Sequence, residues 1–539
     1  MITISLRRLL AGITLASCAS MISCGSQPHG ESSTTRATSA AQRKVFVYGG
    51  GGDAVGLDPA REDDGESFKV CDNIYDTLVQ YAEETTEIEP GLAESWEISA
   101  DGLTYTFHLR KAVQFHDGAP LNANAVVFSF RRQGDAAHPF HHVGGPYKYW
   151  GNMNMSRIIA SIDALDELTV RFTLTVAEAP FLADLAMSFA SIVSPAAVEK
   201  WGAEFSRHPV GTGPFQFVEW VKDDRIVLDA NPSYWGGRPK LDRIVFRAIP
   251  DSAARYLELR TGTLSGMDFP NPDDLPKIRA DASLQVLEQP GMNVGYLAMN
   301  TQKSPFDDVR VRRAVNFAVN KQAIVDHLYA GMGMVANGPL PPGMIGYAAD
   351  IRGYDYDLET ARKLLAEAGK ADGFATTLWA MPVPRPYMPN GMRVAQAVQA
   401  DLAKVGIRAE IVTYEWGTYL DKTDHGEHDM ALLGWSGDNG DPDNFLYVLL
   451  DQDAAVPPAT NIAFFKNATA HELLVAAKRK TDPRERAELY RQAQKIIHDE
   501  APWVPLAHAV QVAVLRAEVS GFKLHPTTKR RFLHTDLRS

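Results

Sequence analysis

The chain has 539 residues, more than one compact hydrophobic core usually holds, so we expect two or more domains. Hydrophobic residues make up 45% and charged residues 22%, which is the balance of an ordinary globular protein. The formal net charge of −12 argues against nucleic acid as a partner, because phosphate contacts require clustered Lys and Arg.

The N-terminus has the parts of a secretory signal peptide. Two arginines precede an apolar run that ends near Ile22 and is too short to span a bilayer, which takes about 20 residues. We predict a lipoprotein signal peptide over residues 1–23 and lipidation of the Cys24 thiol, which would hold the protein on a membrane. Lipidation of Cys18 and secretion without a lipid are the alternatives.

Residues 24–43 are predicted to form a flexible tether. They consist mainly of Gly, Ser, Thr, Ala and Gln, and lack the large apolar side chains that a core requires. Beyond the leader, Cys71 is the single cysteine, so no internal disulfide is expected.

The first half of the chain is predicted to be rich in strands, with helices between them. Short segments of alternating or apolar character, punctuated by Gly, Pro, Asp and Asn, indicate strands at 44–48, 105–109, 169–174, 226–228 and 243–246.

The second half alternates helices with strands, which predicts an α/β lobe with a mainly parallel sheet. Asp357 and Asp482 are expected to cap helices, the first ending at Gly369 and the second starting with Pro483. Further elements are predicted as a helix from Asp307 to about 329, a helix over 392–404, a strand over 407–412, and tail strands near 511–515 and 523–525.

The order of these elements predicts two lobes joined by a hinge. Lobe I is expected to comprise residues 44–290 and 509–539, with an extra subdomain at about 82–200, and lobe II residues 291–508. Segments 291–296 and 505–508 are the hinge candidates. Two lobes on such a hinge can close over a ligand.

Ordered motifs along the chain carry a family resemblance. They lie at 74–79, 90–96, 101–107, 115–118, 126–130, 211–215, 231–235 and 309–314. Together they resemble the bacterial extracellular solute-binding proteins of family 5 over about residues 44–535. The resemblance implies an α/β, two-lobed, periplasmic-binding-protein-like fold of type II. It also implies a protein that binds a solute for an ABC importer and is not an enzyme.

Residues 385–445 resemble the family members that bind dipeptides. By that resemblance, Arg385 holds the peptide carboxylate and Asp438 holds its free ammonium group. A guanidinium fork suits a carboxylate, and a carboxylate accepts hydrogen bonds from an ammonium. The residues expected to line the cleft beside them are Tyr387, Trp435 and Gly437 in lobe II and Gly65 in lobe I.

Other readings of the ligand and the function remain open at this point. The same fold could bind haem or a metal chelate, or serve a peptide-sensing receptor. A secreted hydrolase is disfavoured, because no Gly-x-Ser-x-Gly or His-Glu-x-x-His motif occurs. No cofactor or metal is predicted, since His138, His141 and His142 lack further ligands at suitable spacing.

The predicted partners follow from the leader and the resemblance. They are short peptides, the permease subunits of an ABC transporter, and a membrane reached through the lipid anchor. Nucleic acid is not expected, and the protein is predicted to be a monomer. Its expected location is the periplasm or the cell surface.

Overall fold

The computed structural model describes residues 43–382 and 385–538. The predicted signal peptide, the tether up to residue 42 and the lipidation site Cys24 lie outside the described residues, so they stay predictions. Within the described ranges, no helix combines the length and apolar character that crossing a membrane requires.

Strands and helices are both present along the whole described chain. Strands β1 to β20 are, in order, Val45–Gly50, Val79–Tyr81, Ile88–Pro90, Ala93–Ile98, Thr104–Leu109, Ile159–Ala164, Thr169–Leu174, Phe215–Val221, Arg225–Ala230, Arg243–Ala248, Gly266–Asp268, Leu284–Pro290, Asn293–Met299, Gly333–Val335, Phe374–Trp379, Ile407–Val412, Met430–Ser436, Trp503–Arg516, Val519–Ser520 and Asp536–Leu537. Helices α1 to α16 are Gly65–Ile74, Ala123–Gly134, Lys148–Asn152, Met155–Ile158, Phe181–Leu185, Pro195–Trp201, Ser252–Arg260, Leu275–Arg279, Val309–Ala318, Lys321–Leu328, Leu358–Glu367, Gly391–Ala403, Trp416–Asp424, Asp443–Leu450, Ala468–Arg479 and Pro483–Glu500.

Side-chain caps fix the starts of several helices where the sequence predicts them. The Asp357 carboxylate accepts hydrogen bonds from two backbone N–H groups at the start of α11, and Gly369 follows that helix with a positive φ of 72°. The Asp482 carboxylate caps α16 in the same way, with Pro483 in the first turn. Both predicted helix starts are confirmed.

Two local predictions are wrong. The single helix predicted from Asp307 to about 329 is two helices, because Asn320 caps α10 after α9 has ended at Ala318. The cap of α9 is Asp308, not Asp307. The predicted tail strand near 523–525 has no regular structure. There His525 instead binds the Thr85 carbonyl oxygen and the Thr527 hydroxyl.

Twelve of the described strands form one large sheet. Its order is β16-β15-β17-β13-β18-β11-β1-β10-β9-β8, and β12 and β14 also pair with β18. We call the part that contains β1 and β8 to β12 lobe I, and the part that contains β13 to β17 lobe II. In lobe II, β15 runs parallel to β16 and β17, but β13 pairs antiparallel with β17 and β18. The prediction of a mainly parallel sheet is therefore wrong, since the sheet is mixed.

A second, separate sheet belongs to an insertion between β3 and β8. Strands β4, β5, β7 and β6 pair antiparallel in that order. One face of the sheet buries aromatic side chains in a core of its own, which includes Phe107, Phe130, Phe172 and Phe181. This sheet lies within the predicted subdomain at about 82–200.

Strand β18 connects the two lobes as one continuous element. Its first residues pair with β13 and β14 in lobe II, and its later residues pair with β11 and β12 in lobe I. The chain therefore crosses between the lobes inside a hydrogen-bonded strand. The residue boundaries predicted for the two lobes stay predictions.

Buried hydrogen bonds fasten the point where β18 crosses. The His508 Nδ1–H donates to the Asn293 carbonyl oxygen at 2.7 Å, and the Ala509 N–H donates to Asn293 Oδ1 at 2.7 Å. The Gly291 N–H donates to the Ala509 carbonyl oxygen at 2.9 Å. These residues lie in, or next to, the two segments predicted to form the hinge. Burial lowers the pKa of His508 to about 4, so the imidazole stays neutral.

Replacement of His508 by Asn should flatten the dependence of stability on pH. As the pH falls from about 6.5 to about 4, His508 becomes protonated in the unfolded chain but stays neutral in the folded chain. The free energy of unfolding therefore falls by up to about 1.4 kcal/mol per pH unit. Asn can still donate to Asn293 but does not titrate. Urea unfolding of His508→Asn across this pH range should therefore show a smaller loss of stability than wild type shows. The control variant His142→Asn changes an exposed residue and should keep the wild-type dependence of stability on pH. The same dependence in both variants would contradict the role given to His508.

Candidate ligand-binding site

A cavity of about 200 Å³ lies between the two lobes. Lobe I contributes the start of α1, the helix α3 and part of the C-terminal tail. Lobe II contributes the end of β17 and the loop after it. The lining residues used below are Gly65, Phe68, Lys69, Asp72, Tyr149, Phe189, Gly437, Asp438 and Lys529. Three predicted site residues, Gly65, Gly437 and Asp438, are therefore brought to one cavity.

Asp438 is a partly buried carboxylate with weak partners. Its oxygens accept hydrogen bonds from the Tyr149 hydroxyl and the Asn444 side-chain amide, both at 3.4 Å. Burial raises the pKa of Asp438, and these two hydrogen bonds oppose that rise. Among the described residues, no Lys, Arg or His pairs with it. A buried carboxylate without a cation is costly, and an ammonium group from a ligand would relieve the cost.

The other charged residues around the cavity differ from Asp438 because each has an ionic partner. Lys69 pairs with Asp268 at 2.6 Å and with Glu66 at 3.0 Å. Lys529 lies 3.7 Å from Asp72. Asp438 is therefore the group on the cavity wall whose charge is left for a ligand to balance.

Tyr149 is a site residue that the sequence analysis missed. It lies on α3 of lobe I, and its ring stacks on Phe189 and tilts against Phe68, with centroid separations of 6.0 and 5.8 Å. This packing aims the hydroxyl across the cavity at Asp438 in lobe II. No local pattern distinguishes this tyrosine from a core aromatic residue, so the sequence offered no signal for it.

Asn444 is the second residue that the sequence analysis missed. Its Oδ1 accepts hydrogen bonds from the Asp438 N–H at 2.9 Å and from the Trp435 indole N–H at 2.8 Å. Asn444 thus fixes the backbone of the loop that carries Asp438. Trp435, predicted to line the cleft, lies beside the cavity and is not among the residues that line it.

Tyr387 and Arg385 lie on a turn of lobe II outside this cavity. The Tyr387 ring is buried against Gly434, where any Cβ would overlap it, and its carbonyl oxygen accepts from the Tyr329 hydroxyl at 2.7 Å. Burial raises the pKa of Tyr387, while Arg385 lowers it by charge and by a hydrogen bond. Arg385 is exposed, with its guanidinium 5.5 Å from the centre of the Trp416 ring. The structure therefore does not bring Arg385 into the cavity that holds Asp438.

The loop after Asp438 also contacts lobe I directly. The Asn439 side-chain amide donates to Asp184 at 2.6 Å, and the Gly440 N–H donates to the Tyr81 hydroxyl at 3.0 Å. These contacts close one end of the cavity and hold the loop between the two lobes.

A group of possible metal ligands lies away from this cavity. The ligand atoms of Asp451, Asp453 and His471 all lie within 4.8 Å of one another. His471 Nδ1 lies 3.0 Å from Asp451 Oδ1, so the two side chains already satisfy each other through a hydrogen bond. We assign no metal to this group.

Comparison with known proteins places this geometry in context. The family model described as "Bacterial extracellular solute-binding proteins, family 5 Middle" matches residues 87–456. The dipeptide-binding protein of Escherichia coli (strain K12) is 45% identical over 504 residues, which cover 91% of this chain and 94% of that protein. Heme-binding protein A of Haemophilus influenzae is 43% identical over 534 residues, which cover 96% of this chain and 97% of that protein.

A solved structure of similar sequence contains a peptide. It is the ABC transporter-associated periplasmic binding protein DppA from Helicobacter pylori in complex with the peptide STSA. The match has a TM-score of 0.74 and 43% sequence identity, and it covers 92% of this chain and 99% of that chain.

Removal of the Asn444 side chain should loosen the loop that carries Asp438. Asn444→Ala leaves the partly buried Asp438 N–H and Trp435 indole N–H without their acceptor. We expect a loss of about 1–3 kcal/mol in the free energy of unfolding, measured with urea. Asn152→Ala, at an exposed position of α3, is the control and should change stability little. An equal, small effect of both changes would show that Asn444 does not hold the loop.

Proposed function

We propose that this chain, which belongs to the bacterial extracellular solute-binding proteins of family 5, captures dipeptides or short oligopeptides and delivers them to an ABC permease. The observation that carries the proposal is the partly buried Asp438 carboxylate, which faces an interlobe cavity and pairs with no Lys, Arg or His among the described residues. The peptide in the Helicobacter pylori structure and the name of the Escherichia coli relative support a peptide ligand.

The predicted fold class is confirmed. The chain is α/β and two-lobed, of the periplasmic-binding-protein-like type II, with a hinge and an extra N-terminal subdomain. Proteins of this family bind solutes for transport. We propose accordingly that this chain releases its ligand unchanged.

Asp438 is proposed to bind the free α-ammonium group of the peptide. The ammonium would replace or share the long hydrogen bonds from Tyr149 and Asn444 and would supply the missing positive charge. A hydrogen bond between an ammonium group and a carboxylate is shorter and stronger than the long bonds from neutral donors that Asp438 now accepts. Gly65 and Gly437 are proposed to line the cavity around that end of the ligand.

Arg385 is proposed to bind the peptide carboxylate outside the cavity. The cavity of about 200 Å³ is smaller than the roughly 300–1,000 Å³ of common ligand pockets. A bound peptide would therefore extend beyond it toward the cleft wall of lobe II. Arg385 is exposed there, and the turn that carries it is fixed by buried Tyr387. Tyr387 and Trp435 are proposed to support this wall from behind.

The cellular setting is part of the proposal. Lipidation of Cys24 would hold the protein at a membrane in the periplasm or at the cell surface, as a monomer that meets the permease subunits there. The net charge of −12 gives no support for nucleic acid as a partner.

Haem is the second candidate ligand. It is favoured by the 43% identical relative that is named a heme-binding protein. A peptide-sensing receptor would use the same binding chemistry as the importer and differ in its partner.

Calorimetric titration with alanine peptides of one to five residues, and with haem, tests the proposed function. We expect binding that peaks at short peptides, starting from two residues. Binding of haem alone would replace the peptide proposal with the second candidate. Absence of heat with every ligand would refute both.

Matched variants should assign the two ends of the peptide. Asp438→Asn should weaken dialanine by about 2–5 kcal/mol, because it removes the charge that pairs with the ammonium, but should hardly affect N-acetylated peptide. Arg385→Gln should weaken dialanine and leave peptide amides little changed. Calorimetry of each of the two variants with the free peptide and with the blocked peptide measures these effects. Equal losses for free and blocked peptides would contradict these roles.

Peptide affinity should fall on acidification. Burial raises the pKa of Asp438 above 3.8, so a proton begins to compete with the ligand ammonium at a higher pH than for an ordinary Asp. Affinity is therefore complete above that pKa and is lost as the pH falls through it. Titrations between pH 4 and 8 should show this decline for wild type. Asp438→Asn should show none, and an identical profile in both proteins would exclude Asp438 as the titrating group.

A further inference from the structure

Phe269 combines two features that are unfavourable for a folded protein. Its φ is +50°, in the left-handed region that bulky side chains rarely adopt. Its side chain is nevertheless 51% exposed, so the ring gains little from burial. A single exposed apolar residue needs no explanation, but one held in a strained conformation points to a use for the ring.

Buried charged residues clamp the backbone on the N-terminal side of Phe269. Asp268 is fully buried and accepts from the Tyr48 hydroxyl at 2.6 Å. It also pairs with Lys69 at 2.6 Å and Arg530 at 3.1 Å. Burial alone would raise the pKa of Asp268, but the two cations outweigh it and hold that pKa well below its ordinary value. The end of β11 is thereby fixed.

A second clamp holds the carbonyl group of Phe269 itself. The buried Arg255 guanidinium donates to the Phe269 carbonyl oxygen at 3.0 Å and to the Pro250 carbonyl oxygen at 3.1 Å. It therefore ties the loop after β11 to the loop after β10. With clamps on both sides, the surrounding structure imposes the strained conformation and presents the ring rigidly.

The position of Phe269 relates it to the ligand cavity. Strands β10 and β11 both run parallel to β1, and the three loops that follow them lie at the same edge of the sheet. Ligands of open α/β sheets bind outside this carboxyl edge. The loop after β1 leads to α1, whose Gly65 and Lys69 line the cavity. Lys69 Nζ lies 5.1 Å from the centre of the Phe269 ring, so the ring contacts one of the residues that line the cavity.

We propose that the Phe269 ring is the lobe I contact for the side chain of the second residue of a bound peptide, and that it favours large apolar side chains. This inference rests on the proposed function. With the ammonium group at Asp438 inside the small cavity, the second residue leaves the cavity and passes the ring. An apolar or aromatic side chain would cover the ring and gain burial.

Affinities for Ala-Phe, Ala-Ala and Ala-Lys in wild type and three variants test the inference. Phe269→Ala and Phe269→Gly should weaken Ala-Phe about three- to tenfold and Ala-Ala less than about twofold, and Phe269→Leu should retain most of the preference. Val218→Ala, on the edge strand β8 and 46% exposed in wild type, is the control and should change neither affinity.

Stability provides an independent readout in the same variants. Phe269→Gly removes the steric cost of the positive φ, so its melting temperature should equal or exceed that of wild type while its Ala-Phe affinity falls. If the ring only stabilised the fold, its removal would lower the melting temperature.

The outcomes separate this inference from the proposed function. If wild type binds no peptide, both fail. If wild type binds peptides but the variants lose affinity for all three peptides equally, the ring contributes to closure of the lobes and not to side-chain selection. That result overturns this inference alone. Unchanged affinities in Phe269→Ala and Phe269→Gly would also overturn it.

Discussion

The continuity of β18 is the constraint on which the rest of the structure depends. One strand of 14 residues pairs with β13 and β14 in one lobe and with β11 and β12 in the other. The lobes cannot separate without breaking backbone hydrogen bonds of that sheet, so their relative motion must be a bend near Asn293, His508 and Ala509. The neutral, buried His508 suits this point, because a charge there would have no compensation.

Charge balance distinguishes the structural carboxylates from the functional one. Asp268 is fully buried, and Lys69 and Arg530 compensate it, so it serves to fix the end of β11. Asp438 is partly buried, but it receives only two hydrogen bonds of 3.4 Å and no cation from the described residues. The same type of side chain thus stabilises the architecture where the protein completes its partners, and is proposed to bind a ligand where the protein leaves them incomplete.

Phe269 and Asp438 show a shared principle on the two sides of the cleft. Neighbours with complete hydrogen bonds hold each residue in a state that is unfavourable by itself. Phe269 is exposed and has a strained backbone, and Asp438 is partly buried without a cation from the described residues. The clamps by Arg255 and Asn444 supply the stability that these states lack. A binding site prepared in this way gains affinity because little ordering is left for the ligand to impose.

The sequence by itself determined what depends on local pattern. Asp357 and Asp482 predicted helix starts because a capping side chain bonds within its own first turn. Ordered motifs identified the family and the two-lobed α/β class, and they placed Gly65, Gly437 and Asp438 on a common cleft. Local pattern failed even at short range where a cap was overlooked, as at Asn320, which divides the helix predicted over 307–329.

Only the tertiary structure decided the contacts between distant segments. Tyr149 and Asp438 are separated by 289 positions, and their contact depends on how the lobes meet, which no periodicity encodes. The mixed sheet of lobe II follows from the antiparallel pairing of β13 with β18, a strand some 200 residues later along the chain. Arg385 shows the same limit, because its residue type suits a carboxylate but its distance from Asp438 is set by the turn at Tyr387 and by the lobes. Hydrogen bonds within one turn are fixed by neighbouring residues, whereas a binding site between two lobes is fixed by the packing of the whole chain.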